Sequence, residues 1–295
     1  MKKLSLTICL ALLYTVSAMA QLIRAIDITG EWDKDKLTQY ASNVDYCPYY
    51  LIVNLKQVVG FSNVPGTTYT TTVMGQSKKT MYSLQASGTM GYVNANVRYH
   101  CYRGDINSKV NVDFKYALPV KHGTLAKIRL QNNNDYSIIF EMSSSADTVY
   151  ACRGGIVCDD DLFDTSNKGY RKTAQIITIY HNDGTMAEYK MFTRNLVYPG
   201  DIVNIGTPIA VCESGGVKTV SVGVYFLDKN KVKLDGDGRK HSHFRPFYHV
   251  LNSGAVRLET GNSYTAEITE EMIMQDMSKG EQKRYLKNNP KSNKK

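Results

Sequence analysis

Short runs in which apolar and polar residues alternate, each closed by turn residues, recur through this chain and restrict it to sheet-built folds. Tyr49 to Leu55, Thr67 to Val73, Tyr92 to Tyr99 and Val110 to Phe114 follow this pattern in the first third, and a period of two puts successive side chains on opposite faces of a strand. The 21 tyrosines, with many valines and threonines, favour the same conformation. Helical periodicity enters only near the end. Thr269 to Met277 reads as a short helix with Met272, Ile273 and Met277 on its apolar face, and Ser278-Lys279-Gly280-Glu281 reads as a capping box opening another.

The chain begins with the layout of a secretory signal peptide. Lys2 and Lys3 supply the positive start, Leu4 to Val16 the apolar run, and Ala18-Met19-Ala20 the cleavage site, so residues 1–20 are expected to be removed after Ala20. Cys9 follows Ile8 in mid-run, where lipidation would need a small residue. No later stretch offers the roughly 20 apolar residues of a bilayer-spanning helix, so no transmembrane segment is expected in the mature protein. Export to the periplasm or outside the cell follows. Without Lys2 and Lys3 the balance becomes 34 basic against 27 acidic residues. Much of the surplus lies between Lys279 and Lys295, and such a tail outside the cytoplasm is badly placed to meet nucleic acid.

Cleavage leaves Cys47, Cys101, Cys152, Cys158 and Cys212. The odd number leaves at least one thiol unpaired, and the spacings match no zinc motif. Small buried residues in strands are the expected role for most of them.

The mature length of about 275 residues suits two modest domains. Residues 21–115 are expected to form an antiparallel sandwich of immunoglobulin type, residues 116–260 a second β domain, and residues 261–295 a helix with a basic tail. In the second domain, strands are expected at Ser137 to Phe140, Thr148 to Ala151, Gly155 to Cys158, Gln175 to Tyr180 and Met186 to Phe192. Others are expected at Ile202 to Ile205, Ile209 to Cys212 and Val220 to Leu227.

Several motifs in this second region stand in a recognisable order. They are Tyr116-Ala117-Leu118-Pro119, the run from Tyr136 to Phe140, and the run from Asp147 to Val157. Then come Ile177 to Tyr189, which contains His181-Asn182-Asp183-Gly184-Thr185, and Val197 to Ala210. Together they resemble the lysostaphin/LytM-type zinc metallopeptidases, whose domain is a duplicated hybrid motif sheet and whose members cut cell-wall peptides. The resemblance spans Tyr116 to Phe226, a little over a third of the chain.

That resemblance implies a catalytic zinc held by two histidines and a carboxylate, with a further histidine assisting. Those positions fall here on Ile139, Met191, Ser221 and Gly223, and the family's first zinc histidine would fall in the shortened run Gln131 to Asp135. Isoleucine and glycine have no donor atom, and a lone serine is a poor ligand. The resemblance therefore implies a degenerate member without catalytic residues or cofactor, which binds peptidoglycan or an envelope protein such as a wall hydrolase. His181 matches a family position that is not a ligand, and His100 and His122 stand alone.

A second reading stays open. His241-Ser242-His243-Phe244 repeats the family's last motif after the expected place, beside the turn residues Asp235 to Gly238. On a strand the two histidines would share a face and could hold zinc with His249 or Asp237, giving an active endopeptidase. In a loop they would be surface histidines. A third reading makes the sandwich a surface adhesin.

Overall fold

In the computed structural model the described residues are 25–64, 66–87, 93–130, 136–142, 147–160, 175–212, 218–233 and 240–289. The expected signal peptide, the run 131–135, the turn 235–238 and the end of the basic tail lie outside them. The protein is mostly β, with several antiparallel sheets and two short helices near the C-terminus.

Among the described residues, seven strands build the first region: β1 (Ile26–Asp33), β2 (Lys36–Asn43), β3 (Tyr49–Val59), β4 (Phe61–Asn63), β5 (Thr68–Val73), β6 (Ser77–Ala86) and β7 (Asn94–Arg103). They form one sheet in the order β1-β2-β6-β4 and another in the order β5-β3-β7. Tyr49, Leu51, Val53 and Leu55 of β3 face the first sheet, packing with Ala41, Tyr82 and Leu84. The partition of four strands and three matches an immunoglobulin constant domain, but the order does not. In that fold the fifth strand lies in the first sheet and the sixth beside the third, whereas here β6 joins β2 and β5 joins β3. The immunoglobulin topology expected from the alternating runs is therefore corrected to a sandwich of different connectivity.

A second correction concerns Val110 to Phe114, which alternates yet forms no strand. Asn111 and Asp113 spend their polar groups on turns: Asp113 N donates to Asn111 Oδ1 at 3.1 Å and Phe114 N to the Asn111 carbonyl at 3.3 Å.

The second region comprises β8 (Lys115–Tyr116), β9 (Leu125–Leu130), β10 (Ile138–Met142), β11 (Thr148–Tyr150), β12 (Gly155–Val157), β13 (Ile177–Tyr180) and β14 (Thr185–Lys190). It continues with β15 (Arg194–Asn195), β16 (Ile202–Val203), β17 (Pro208–Val211), β18 (Thr219–Leu227), β19 (His241–Phe244), β20 (Phe247–Val250), β21 (Gly254–Val256) and β22 (Ser263–Thr265). Its main sheet runs β16-β12-β13-β14-β18-β10-β9-β22, with β19 also pairing β18. The core lies on one face of it, where Ile138, Phe140, Ile177, Ile179, Tyr189, Val222 and Val224 are buried together.

The helices α1 (Glu270–Met274) and α2 (Lys279–Asn288) close the chain. Thr269 caps α1, and Met272 is its buried residue. At α2 the Ser278 side chain accepts from Glu281 N while the Glu281 carboxylate accepts from Ser278 N, the reciprocal box that its sequence predicts.

Candidate functional site

Strands β10, β18 and β14 lie side by side in a register that brings separated parts of the sequence together. Ile139 stands opposite Ser221, Ser221 opposite Lys190, and Gly223 opposite Glu188. Alternation sends Ile138, Val222 and Tyr189 into the core, so Ile139, Ser221, Gly223, Glu188 and Lys190 share the opposite face. Met191 follows β14 in a left-handed conformation, φ 69°, with its side chain largely exposed.

The residues present do not fit zinc. Ile139 is 2% exposed and apolar, Ser221 is buried, and a Cβ added at Gly223 would come within 2.9 Å of Ser137 Oγ, so a serine side chain already fills that space. Ser221 and Met191 offer only a neutral hydroxyl and a thioether, neither of which matches the imidazole and carboxylate set that catalytic zinc uses. Among the described residues no three His, Cys, Asp or Glu side chains stand close enough to hold a metal ion.

His241 and His243 lie on β19, not in a loop. Tyr225 pairs with His243 and Leu227 with His241, which puts both histidines on the face of Ser221. They stand at the far end of it: Tyr225 is four residues from Ser221, about 13 Å at the rise of a strand. His241 Nε2 lies 3.0 Å from the Arg103 carbonyl, and burial holds its pKa below the usual histidine value. Both imidazoles pack on the Tyr225 ring, with centroids 5.3 Å away in each case. Of the third ligands considered, His249 Nε2 is 2.9 Å from Glu267 and Asp237 lies outside the described residues. His122 Nδ1 accepts from Ile268 N.

The sandwich covers this same end of the face. Tyr50 and Ile52, on the outer side of β3, pack with Leu227, and a Cβ at Gly104 would meet Leu227 Cβ at 2.9 Å. A buried ionic cluster beside it ties the two regions together. Arg103 Nη2 donates to Asp45 Oδ2 at 2.9 Å and to the Asp159 carbonyl at 2.8 Å, while Nη1 donates to Asp160 Oδ1 at 2.6 Å. Asp159 N donates back to Asp45 Oδ1 at 2.8 Å, and Thr178 N to Asp160 Oδ2 at 2.8 Å. Burial pushes the Asp160 carboxyl above the usual carboxylate range, against the pull of Arg103. A disulfide joins Cys47 to Cys158 at the same seam, with Cα atoms 5.6 Å apart, while Cys101, Cys152 and Cys212 are free.

The run His181 to Thr185 forms a structural turn. Gly184 adopts φ 87° and His181 N donates to the Thr185 carbonyl at 2.9 Å. Asp183 accepts from Thr185 Oγ1 at 2.7 Å and from Arg153 Nη1 at 3.0 Å. Burial works against the Asp183 charge, but Arg153 and the Thr185 bonds keep its pKa below the usual value. His181 Nδ1 lies 2.7 Å from the Gly154 carbonyl, and burial, reinforced by Arg153, pushes its pKa down to about 3. That imidazole is neutral and internal.

Arg153 is 2% exposed and organises the other end of the domain. Its Nε and Nη2 bind both oxygens of Asp276 at 3.0 and 2.7 Å, and the guanidinium lies 3.6 Å from the Phe114 ring centroid. The fork pins the segment between α1 and α2 onto the sheet domain. Sequence patterns give no pointer to the Arg103 and Arg153 clusters, because their partners are 58 and 123 residues away.

The sequence matches no family model and no curated protein. Among solved structures it is similar to pseudoalterin, described as a novel M23 metalloprotease from the deep sea, at 16% identity over 53% of this chain and 96% of that one, with a TM-score of 0.30. Helicobacter pylori Csd3 matches at 12% identity over 77% of this chain and 80% of that one, TM-score 0.29. A zinc-containing peptidase from Vibrio cholerae matches at 11% identity over 72% and 86%, TM-score 0.25. The similarity to M23 metallopeptidases is distant, and what this chain can do rests on its own side chains.

Proposed function

We propose that this chain is an exported, catalytically silent peptidase-like protein that binds peptidoglycan or an envelope partner such as a wall hydrolase. One observation carries the reading: the strands bring Ile139, Ser221 and Gly223 into a single patch, and that patch has the wrong atoms for a hydrolytic metal. The order of motifs from Tyr116 to Ala210 supports descent from wall peptidases, and the leader at residues 1–20 supports a place in the envelope. Fold alone does not define the partner.

Two measurements test this. Untagged protein is analysed for bound metal after exposure to zinc, and incubated with purified peptidoglycan to follow both sedimentation with the wall and release of peptides. Co-sedimentation without release, and no stoichiometric zinc, is the expected result. Stoichiometric zinc together with peptide release, both lost in a His241→Ala/His243→Ala variant, would overturn it in favour of the active endopeptidase. The adhesin reading requires residues 21–115 to bind the wall alone, and that fragment would uncover Tyr50 and Ile52.

A further inference from the structure

A cleft of about 590 Å³ opens where the sandwich, the sheet domain and the two helices meet. It lies at the β16–β12 edge of the main sheet, three strands from β18, so it is separate from the patch around Ser221. Its volume falls in the range of sites that bury a small molecule or a few residues of peptide. Met74 of the sandwich and Met272 and Met277 of the helical segment line it on facing walls, with Tyr46 and Tyr285. Methionine packs against side chains of varied shape.

Two observations define what fits. The first is that the charges lining the cleft cancel. Arg153 and Arg284 are its cations, Asp276 and Glu281 its anions. Arg153 binds Asp276 at 2.7 Å, and the Glu281 carboxylate, held by Ser278 N at 2.8 Å, lies one helical turn before Arg284. A charged group entering among the methionines would give up its water and meet no net opposite charge, so the lining suits an uncharged side chain. The second is an open strand edge. Val157 N donates to the Asp201 carbonyl at 2.9 Å, so in the alternating antiparallel ladder Ile156 and Ile202 form the non-bonded pair and the main-chain groups of Ile202 turn away from β12. Among the described residues β16 ends the sheet there, and Ile202 is 81% exposed. Ile202 to Ile205 line the cleft in succession, and Asn182 adds a side-chain amide to it. Outward N–H and C=O groups beside an amide are what another peptide main chain matches.

We infer that this cleft takes an uncharged extended peptide segment, which lies along the β16 edge with an apolar side chain among the methionines. Strand addition supplies main-chain hydrogen bonds at Ile202, and the apolar walls select the inward side chain. Recognition is therefore blind to the sign of charge and hostile to either sign at the inward position. The inference concerns a surface distinct from the patch around Ser221 and stands whether or not the chain binds the wall.

The full chain labelled with ¹³C-methyl methionine is titrated with acetyl-Ser-Leu-Thr-Leu-amide. Parallel titrations use the same peptide with both leucines changed to glutamate, with both changed to lysine, and with every main-chain amide N-methylated. The leucine peptide should give saturable shifts at the methyls of Met74, Met272 and Met277, but not at the buried residues Met142 and Met186. The glutamate and lysine forms should both bind about tenfold more weakly or worse, and so should the N-methylated form, which cannot donate to the edge. On the protein side, Ile202→Pro removes one outward N–H at an edge position that tolerates proline, and Met74→Glu places a charge in the wall. Each should weaken the leucine peptide by a similar factor, and Met74→Glu, at an exposed position, should leave the melting temperature unchanged. Absence of shifts at those three methyls, shifts at Met142 or Met186, a charged form that binds as well as the leucine form, or indifference to N-methylation would each overturn the proposal.

Discussion

Two patches of one sheet face contrast sharply. Ile139, Ser221 and Gly223 are small or apolar, and the charges beside them, Glu188 and Lys190, are ion-paired with each other and partly exposed. About 13 Å along the same face, where the sandwich sits on Leu227 and His241, a guanidinium, two aspartates and a disulfide are buried together. The patch around Ser221 keeps its charges paired at the surface, whereas the seam buries them. A buried charge is tolerated only when paired, so the seam cluster acts as joinery, and the sandwich sits as a fixed cover over that end of the face.

The largest effect should come from breaking the seam. Arg103→Ala leaves Asp45 fully buried and unpaired, and loss of one partner of a buried pair costs about 3–5 kcal/mol. That corresponds to a fall in melting temperature of about 10 °C for a chain of this size, readable by calorimetry. Cys47→Ala/Cys158→Ala should cost about 2–5 kcal/mol, since the bond closes a loop of 111 residues. Urea unfolding of that variant should match reduced wild type.

Acid provides the next effect. His181 is held neutral in the folded chain with a pKa pushed down to about 3, while the unfolded imidazole titrates near 6.5. The unfolded state therefore binds more protons between these values, so the contribution is complete above about pH 6.5 and is lost as pH falls toward 3. About 2 kcal/mol should be missing at pH 5 relative to pH 7.5, and His181→Gln should flatten that slope in urea titrations. Smaller still, Ser278→Ala removes a cap worth about 1 kcal/mol and should raise amide exchange in α2 alone. In the patch around Ile139, Ser221→Ala should change stability by less than about 0.5 kcal/mol; a larger loss would show that Ser221 carries a structural polar bond and would blunt the contrast.

Much of the sheet domain was legible because its alternation coincides with one buried face. β10, β13, β14 and β18 fall within about two residues of the runs that predict them, and the capping box of α2 stands where Ser278 and Glu281 put it. In the sandwich, strands β1, β2, β4 and β6 are not among the expected runs, nor is β9 in the main sheet. β1 alternates Ile26, Ile28 and Trp32 with polar residues but is mostly exposed, only Ile26 and Ile28 reaching the core, so pairing with β2 defines it more than burial does. The turn residues 235–238 suggested that His241 and His243 sit in a loop, but pairing with β18 continues through Phe244. For the site, the motif order locates the patch on the strands, but nothing local marks Arg103, Arg153 or the Cys47–Cys158 pair, whose meaning arises only from contacts across the chain.

The disulfide has a consequence for biogenesis. Under the export proposed above, a chain delivered N-terminus first presents Cys47 and then Cys101 to the oxidising side before Cys158 arrives. The correct thiol is the last of the four to emerge up to that point, after Cys152. Premature bonding of Cys47 to Cys101 would trap the sandwich in a form unable to dock, so secretion should depend on a disulfide isomerase, or on β3 and β7 pairing early enough to fix Cys101 opposite Leu51 and keep it out of reach.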